Sequence, residues 1–235
     1  MKLITWNVLK GGGSRVQQIL GQLRDSRPDV TILTEFRVGA TGSQIQDGLH
    51  RMGLEYQTAP EVKPGINSVL LAARFPITAI PVDGLPPEDH HRCVLARCSG
   101  INLAAPYFPQ KEEKSRLFEF ILGWPESFLR ERSILMGDFN TGKHYLDEQG
   151  ATFSVAHYMD QLEEAGWIDA WRLLHGNERE YTWQSHSGNG FRLDHAFVSP
   201  PLRESVVDAR YSHNVREAGI SDHSLMEVQI SDLGE

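Results

Sequence analysis

Several short apolar runs in this chain stop or start on residues able to do chemistry, and this pattern constrains the fold more than any other feature. The run Leu3 to Val8 ends around Asn7, Val30 to Thr34 delivers Glu35, Ile101 to Ala104 leads to Tyr107, and Ser133 to Met136 leads to Asp138 and Asn140. Two later runs, Leu193 to Val198 and Leu225 to Ile230, open beside Asp194 and beside Asp222 and His223. Runs this short, rich in β-branched and aromatic residues, read as strands. A strand end followed by a loop is where a rigid sheet fixes polar groups while leaving them reachable. The fold has to bring several such ends to one edge.

Helical periodicity fills the spaces between these strands. Gly11, Gly12 and Gly13 break the first strand; Val16, Ile19, Leu20 and Leu23 then recur on one face, with Ser14 as the expected cap and Arg27 and Pro28 as the stop. Strand, helix and strand in succession form a βαβ-like opening that sends Asn7 and Glu35 to the same sheet edge. Ile45, Leu49 and Met52 predict a second helix closed by Gly53, and Asn67 to Ala73 a buried strand. Cys93 to Arg97 and Ile101 to Ala104 flank Ser99 and Gly100 as a hairpin. Lys114 to Leu122 carries a helical stripe, and Asp138 and Asn140 are expected in the loop after their strand.

Composition narrows the class. A chain of 235 residues, 40% hydrophobic and 23% charged, is expected to form one domain over residues 1–235. With 23 Lys and Arg against 31 Asp and Glu the net charge is −8, which excludes a uniformly basic, nucleic-acid-coating surface. A local basic rim is still expected from Lys10, Arg15, Arg37, Lys63, Lys111, Lys114, Arg116, Lys143 and Arg192. No apolar run reaches the roughly 20 residues of a membrane span, so no membrane partner is expected. A monomer in the cytoplasm is the expectation. Cys93 and Cys98 fall on opposite faces of a strand and should stay unpaired, and with His90 and His91 they match no zinc-site spacing. His144 and His195 read as rim residues, and Trp167 and Trp171 as packing against the sheet.

Four of the residues at the strand boundaries, Glu35, Asp138, Asp194 and Asp222, are acids, and they converge with Asn7, Tyr107, Asn140 and His223. So many carboxylates at one edge repel each other unless a cation neutralises them, and hard oxygen donors select Mg2+, with Mn2+ able to substitute. Such a kit suits phosphodiester hydrolysis: metal charge on phosphate oxygens, a base for water, and neutral donors for developing charge. A single base supplies only about 10²- to 10⁴-fold, so the cation and the donors have to carry most of the acceleration.

The ordered set W-N-V, T-E-F, Y-F-P-Q, G-D-F-N, R-L-D and S-D-H, running from Asn7 to His223, resembles the endonuclease/exonuclease/phosphatase superfamily. Within it, Y-F-P-Q resembles the exonuclease III and abasic-site endonuclease branch; other branches carry a histidine motif where Tyr107 stands. The resemblance implies an α/β fold with two packed sheets flanked by helices, the four-layer deoxyribonuclease I-like sandwich. It implies Glu35 as principal metal ligand, with Asn7 beside it and Asp222 helping. It implies that Asp138 positions or deprotonates water, that Asn140 binds phosphate, that His223 is oriented by Asp194, and that Tyr107 contacts the phosphate or assists the leaving group. How acid and base roles divide among Asp138, Tyr107 and His223 stays open at this point.

The same resemblance implies DNA as substrate, cut at abasic sites or from 3′ ends. Trp183, Phe191 and Leu193 occupy the places of an apolar pocket for a flipped-out sugar, with Arg192 counted among the substrate-binding residues. The sequence departs from the branch in two places. L-K-G-G-G-S-R follows the first strand where N-G-L-R-A is usual, and Thr34 precedes the metal-binding glutamate where glutamine is common. Two rival readings follow: the same metal site acting on another phosphate ester, and a relative that binds nucleic acid without catalysis.

Overall fold

Alternation along the strands decides the layers. Leu3, Ile32 and Leu71 point one way and join a core with Val94, Leu103, Ile134 and Val198, while Ile4, Trp6, Leu33 and Leu70 point the other way into a separate core. Residues of period two can satisfy both demands only if two sheets pack face to face and helices cover their outer faces.

The structure, a computed structural model, describes residues 1–231. Its strands are β1 (Lys2–Asn7), β2 (Val30–Phe36), β3 (Tyr56–Thr58), β4 (Ser68–Ala73), β5 (Ile77–Ile80), β6 (Cys93–Cys98), β7 (Ile101–Pro106), β8 (Ser133–Asp138), β9 (Ile168–Asp169), β10 (Trp183–Gln184), β11 (Gly190–Phe191), β12 (Asp194–Val198), β13 (Val206–Ser212) and β14 (Leu225–Ile230). The α-helices are α1 (Val16–Ser26), α2 (Ala40–Arg51), α3 (Ser115–Leu122), α4 (Ser127–Arg130), α5 (His157–Glu164), α6 (Ala170–His175) and α7 (Asn214–Glu217).

One six-stranded sheet runs β13-β14-β1-β2-β4-β3 and the other β5-β6-β7-β8-β12-β9. Each holds a single parallel pair, β1 with β2 and β7 with β8, and all its other pairings are antiparallel. The carboxyl ends of the two parallel pairs carry Asn7, Glu35, Tyr107 and Asp138. Ile19, Leu23, Ile45 and Leu49 of α1 and α2 seal the outer face of the first sheet, and Leu117, Phe118, Met159 and Leu162 of α3 and α5 that of the second. The expected four-layer sandwich is therefore the observed one. Among the described residues no helix is long and apolar enough to cross a membrane.

Several local expectations are corrected. Ser14 does not cap α1: residues Gly13–Arg15 form a 3-10 turn, and no side chain caps either that turn or the helix. Leu9, Lys10, Gly11, Gly12 and Gly13 all have positive φ, and this left-handed run carries the chain past the position a cap would need. Asp138 is the last residue of β8 rather than part of the following loop. His195 is fully buried, its Nε2 within 2.9 Å of the Thr141 carbonyl, and is not a rim residue. Cys93 and Cys98 are free and sit in different cores, as their spacing requires.

Candidate active site

Two short-range features aim Glu35. Pairing between β2 and β4 shifts between Thr34 and Phe36, so Glu35 is a bulge residue, with φ of 54°. The left-handed run at 9–13 folds back over it: Lys10 N–H donates to Glu35 Oε2 at 2.7 Å, and Gly11 N–H to the Glu35 carbonyl at 2.8 Å. Glycine is required at position 12, where φ is 77° and an added Cβ would lie 2.8 Å from Ile19 Cδ1.

Register brings the acids together. Asp194 of β12 lies directly opposite Asp138 of β8, and Tyr107 bridges Asp138 on the other side. Asn7 Nδ2 donates to Asp138 Oδ2 at 2.9 Å and faces Glu35 Oε1 at 3.4 Å, while its oxygen accepts the Leu9 N–H at 2.9 Å. Asn7 therefore presents its amide nitrogen, not its oxygen, to the acids. Asn140, at φ 50°, donates its backbone N–H to Asp138 Oδ1 and its side-chain amide to the Phe108 carbonyl at 2.7 Å. Tyr107 Oη donates to Glu35 Oε1 at 3.3 Å and accepts from Asn67 Nδ2 at 3.4 Å.

His223 completes the cluster. Its Nδ1 lies 2.8 Å from Asp194 Oδ2, its carbonyl accepts from Trp6 Nε1, and its backbone N–H donates to Ser221 Oγ, which in turn donates to the Asn7 carbonyl. Single ligand atoms of Asp138, Asp194 and His223 all lie within 4.8 Å of one another, and all three residues are buried. Burial disfavours the imidazolium, yet the Asp194 and Asp138 carboxylates outweigh it and raise His223 to about 10. Burial lifts Asp138 to about 7, opposed by His223 and the Asn7 amide and assisted by Asp194. Burial, with Glu35 and Asp138 nearby, also pushes the Tyr107 hydroxyl upward, so it stays protonated.

The donor set fits a hard divalent cation. Glu35 accepts from neutral donors, the Lys10 backbone N–H, the Asn7 amide and the Tyr107 hydroxyl, and Asp222 accepts from the Trp183 indole, and both carboxylates face one cavity of about 410 Å3. The buried Asp194 Oδ1 also has no hydrogen-bond partner. Trp183, Phe191 and Leu193 line the same cavity, with Trp183 and Phe191 ring centroids 5.7 Å apart and Trp183 Nε1 donating to Asp222 Oδ2 at 3.2 Å.

Arg192 does not join them. In the link between β11 and β12 its side chain turns away from the cavity that its neighbours Phe191 and Leu193 face. At 1% exposure its Nε meets Asp147 Oδ1 at 2.7 Å and its Nη2 meets Asp169 Oδ2 at 2.5 Å, with Trp171 beneath. The expected basic rim is likewise thin. Arg15 binds the Leu9 and Ile220 carbonyls, Arg37 binds Asn67, Arg116 pairs with Asp89, and Lys143 pairs with Asp160 and Glu163. Of that set, Lys111 and Lys114 line the cavity, and the nearly buried Lys114 donates to the Asn140 carbonyl at 2.6 Å. Burial lowers Lys114 to about 8, against the attraction of Asp138. Asn67 and Phe153 escape the sequence reading as site residues: Asn67 merely opens an expected strand, and Phe153 lies in a loop without helical or strand periodicity.

Comparison with known proteins agrees with this architecture. Over 98% of its length the chain is 24% identical to an exodeoxyribonuclease of Bacillus subtilis (strain 168), covering all of that protein. It superposes on an AP endonuclease from Archaeoglobus fulgidus with a TM-score of 0.84 at 24% identity, covering 99% of this chain and 100% of that one. It also superposes on the Neisseria 3′ phosphatase NExo bound to a product DNA hairpin, with a TM-score of 0.82 at 23% identity and the same coverage. The model of the Endonuclease/Exonuclease/phosphatase family matches residues 4–223, and the chain belongs to that family.

Proposed function

We propose that this protein is a divalent-metal-dependent phosphodiester hydrolase of exonuclease III type that cuts DNA at abasic sites or from 3′ ends, with Mg2+ as the working ion. The observation that carries the reading is the close group of Asp138, Asp194 and His223, with His223 hydrogen-bonded to Asp194, beside the Glu35 carboxylate and walled by Trp183, Phe191 and Leu193. The names of the relatives, an exodeoxyribonuclease, an AP endonuclease and a 3′ phosphatase bound to DNA, support the choice of DNA.

Glu35 would hold the metal, with Asp222 across the cavity and Asn7 orienting Glu35 and Asp138 through its amide nitrogen. The ion supplies positive charge to the phosphate oxygens. Asp138 takes the proton of the attacking water; burial places its carboxyl near neutrality, where a general base works best. His223, held as the imidazolium by Asp194, donates from Nε2 to a phosphoryl oxygen. Asn140 keeps one amide N–H free for the phosphate after serving the Phe108 carbonyl. Tyr107, protonated throughout the physiological range, turns its single O–H from Glu35 to the leaving oxygen.

Cleavage of a duplex carrying one tetrahydrofuran abasic analogue, beside the undamaged duplex and the single strand, tests this reading. Cleavage that needs Mg2+ and is lost with chelator and in Asp138→Asn supports it. No cleavage of any DNA, with a simple phosphodiester still hydrolysed, removes DNA as the substrate.

A further inference from the structure

The segment between Gly142 and Ala156 belongs to no strand end, yet it supplies part of the cavity wall. Its organiser is Glu148, which is 1% exposed. The Glu148 carboxylate accepts the backbone N–H of Thr152 at 2.8 Å, that of Phe153 at 3.0 Å and the Thr152 hydroxyl, and lies 2.9 Å from His144 Nδ1. Burial works against this charge, but the bonds from Thr152, His144 and Phe153 hold the group below its usual range. Through its main chain Glu148 also bridges Phe191, and the preceding carbonyl of Asp147 accepts the Arg192 N–H at 2.8 Å. One residue thus ties β11 by its backbone and Thr152–Phe153 by its side chain.

The result is read at Phe153. Its ring meets Phe191 nearly edge-on at 5.5 Å, and Phe191 continues the row to Trp183. Phe153 borders two spaces at once: the cavity that holds Asp138 and His223, and a neighbouring one of about 420 Å3 lined by Lys143, His144, Val155 and His157. Val155 just beyond it has φ of 53°, a conformation disfavoured for a β-branched residue, so the surrounding contacts impose the shape of this turn.

We propose that Phe153, held in place by Glu148, is a specificity-determining wall of the substrate pocket, closing the row begun by Trp183 and Phe191 so that a sugar without a base enters and an intact nucleotide does not. The inference rests on the DNA reading above. Phe153 acts as a partition: truncating it joins the cavity to its neighbour and opens the room a base needs. Glu148 is a positioning residue, because one oxygen, Oε1, takes the N–H of both Thr152 and Phe153, and truncating the side chain leaves those two donors without their acceptor.

The test measures kcat/KM for the tetrahydrofuran duplex and for the undamaged duplex in wild type, Phe153→Ala, Phe153→Tyr and Glu148→Ala. The readout is the ratio of the two values within each protein. A variant that merely unfolds in part lowers both values equally and leaves the ratio untouched. The expected ratio falls about tenfold or more in Phe153→Ala, the scale of losing one apolar group from a pocket. It should fall comparably in Glu148→Ala and stay near wild type in Phe153→Tyr. Wild-type ratios in both Phe153→Ala and Glu148→Ala overturn the proposal while leaving the DNA reading intact. A wild-type enzyme that cuts neither duplex but hydrolyses bis(p-nitrophenyl) phosphate overturns the DNA reading and the proposal with it.

Discussion

Replacing Asp194 by Asn removes one charge from the buried cluster while keeping its shape. Wild-type His223 sits near 10 instead of 6.5, a preference for the imidazolium of about 5 kcal/mol. Burial opposes that preference, so the Asp194, Asp138 and Asp222 carboxylates together supply more than this amount. Asp194, in direct contact at 2.8 Å, is the largest source of it. Without its charge the imidazole should give up its proton much closer to neutrality, and the donor to the phosphoryl oxygen is lost over the working range. The rate should fall by about 10²- to 10⁴-fold, the usual contribution of a positioned proton donor or acceptor.

The sign of the stability effect follows from proton counting. Between about pH 6.5 and about 10 the native wild type holds a proton on His223 that the unfolded chain releases, so stability declines as pH rises through this window. Asp138, raised to about 7, adds a decline at lower pH, between the ordinary carboxylate range and neutrality. Asp194→Asn should flatten the upper limb. Single-turnover cleavage, which isolates the chemical step, and urea melts across this pH range measure both effects. Wild-type rates together with an unchanged upper limb would refute the assignment of His223 as a charged group held by Asp194.

Three further outcomes are expected. Glu35→Gln should raise the Mg2+ concentration needed for half-maximal activity by at least about tenfold, since it removes an anionic oxygen ligand; Mn2+ binding followed by electron paramagnetic resonance checks this without turnover. Arg192→Met should lower stability by about 3–5 kcal/mol in urea melts, because Asp147 and Asp169 are left buried without their main cation. Tyr107→Phe should lower kcat with little change in KM, and the wild-type pH-rate profile should show no tyrosinate limb below about pH 10, the ordinary tyrosine range.

Most of the candidate site was legible because its members terminate or begin buried strands, and buried strands announce themselves as apolar runs. Register sets Tyr107 and Asp194 on either side of Asp138, and packing of the two sheets brings Asn7 to it. Arg192 shows where linear reading fails: a cation between two pocket residues looks like a phosphate contact, yet its side chain turns inward to two acids that lie 45 and 23 residues away. Asp147 and Asp169 carry no local mark of that partnership. The bulge at Glu35 depends on left-handed φ at non-glycine residues, which local composition does not signal. Edge strands such as β5 and β13 are half-exposed and lack a continuous apolar run, so they escape the same reading. Phe153 sits in a loop folded around one buried carboxylate, and no periodicity marks such a loop.

The central claim is hydrolysis, in which water attacks phosphorus. Cleavage of the tetrahydrofuran duplex with Mg2+ in 18O-labelled water tests it directly, with the product ends read by mass spectrometry. The account predicts a 3′-hydroxyl on one fragment and one 18O atom in the 5′-phosphate of the other. Cleavage without incorporation of 18O into that phosphate, or products ending in a 3′-phosphate, would contradict it.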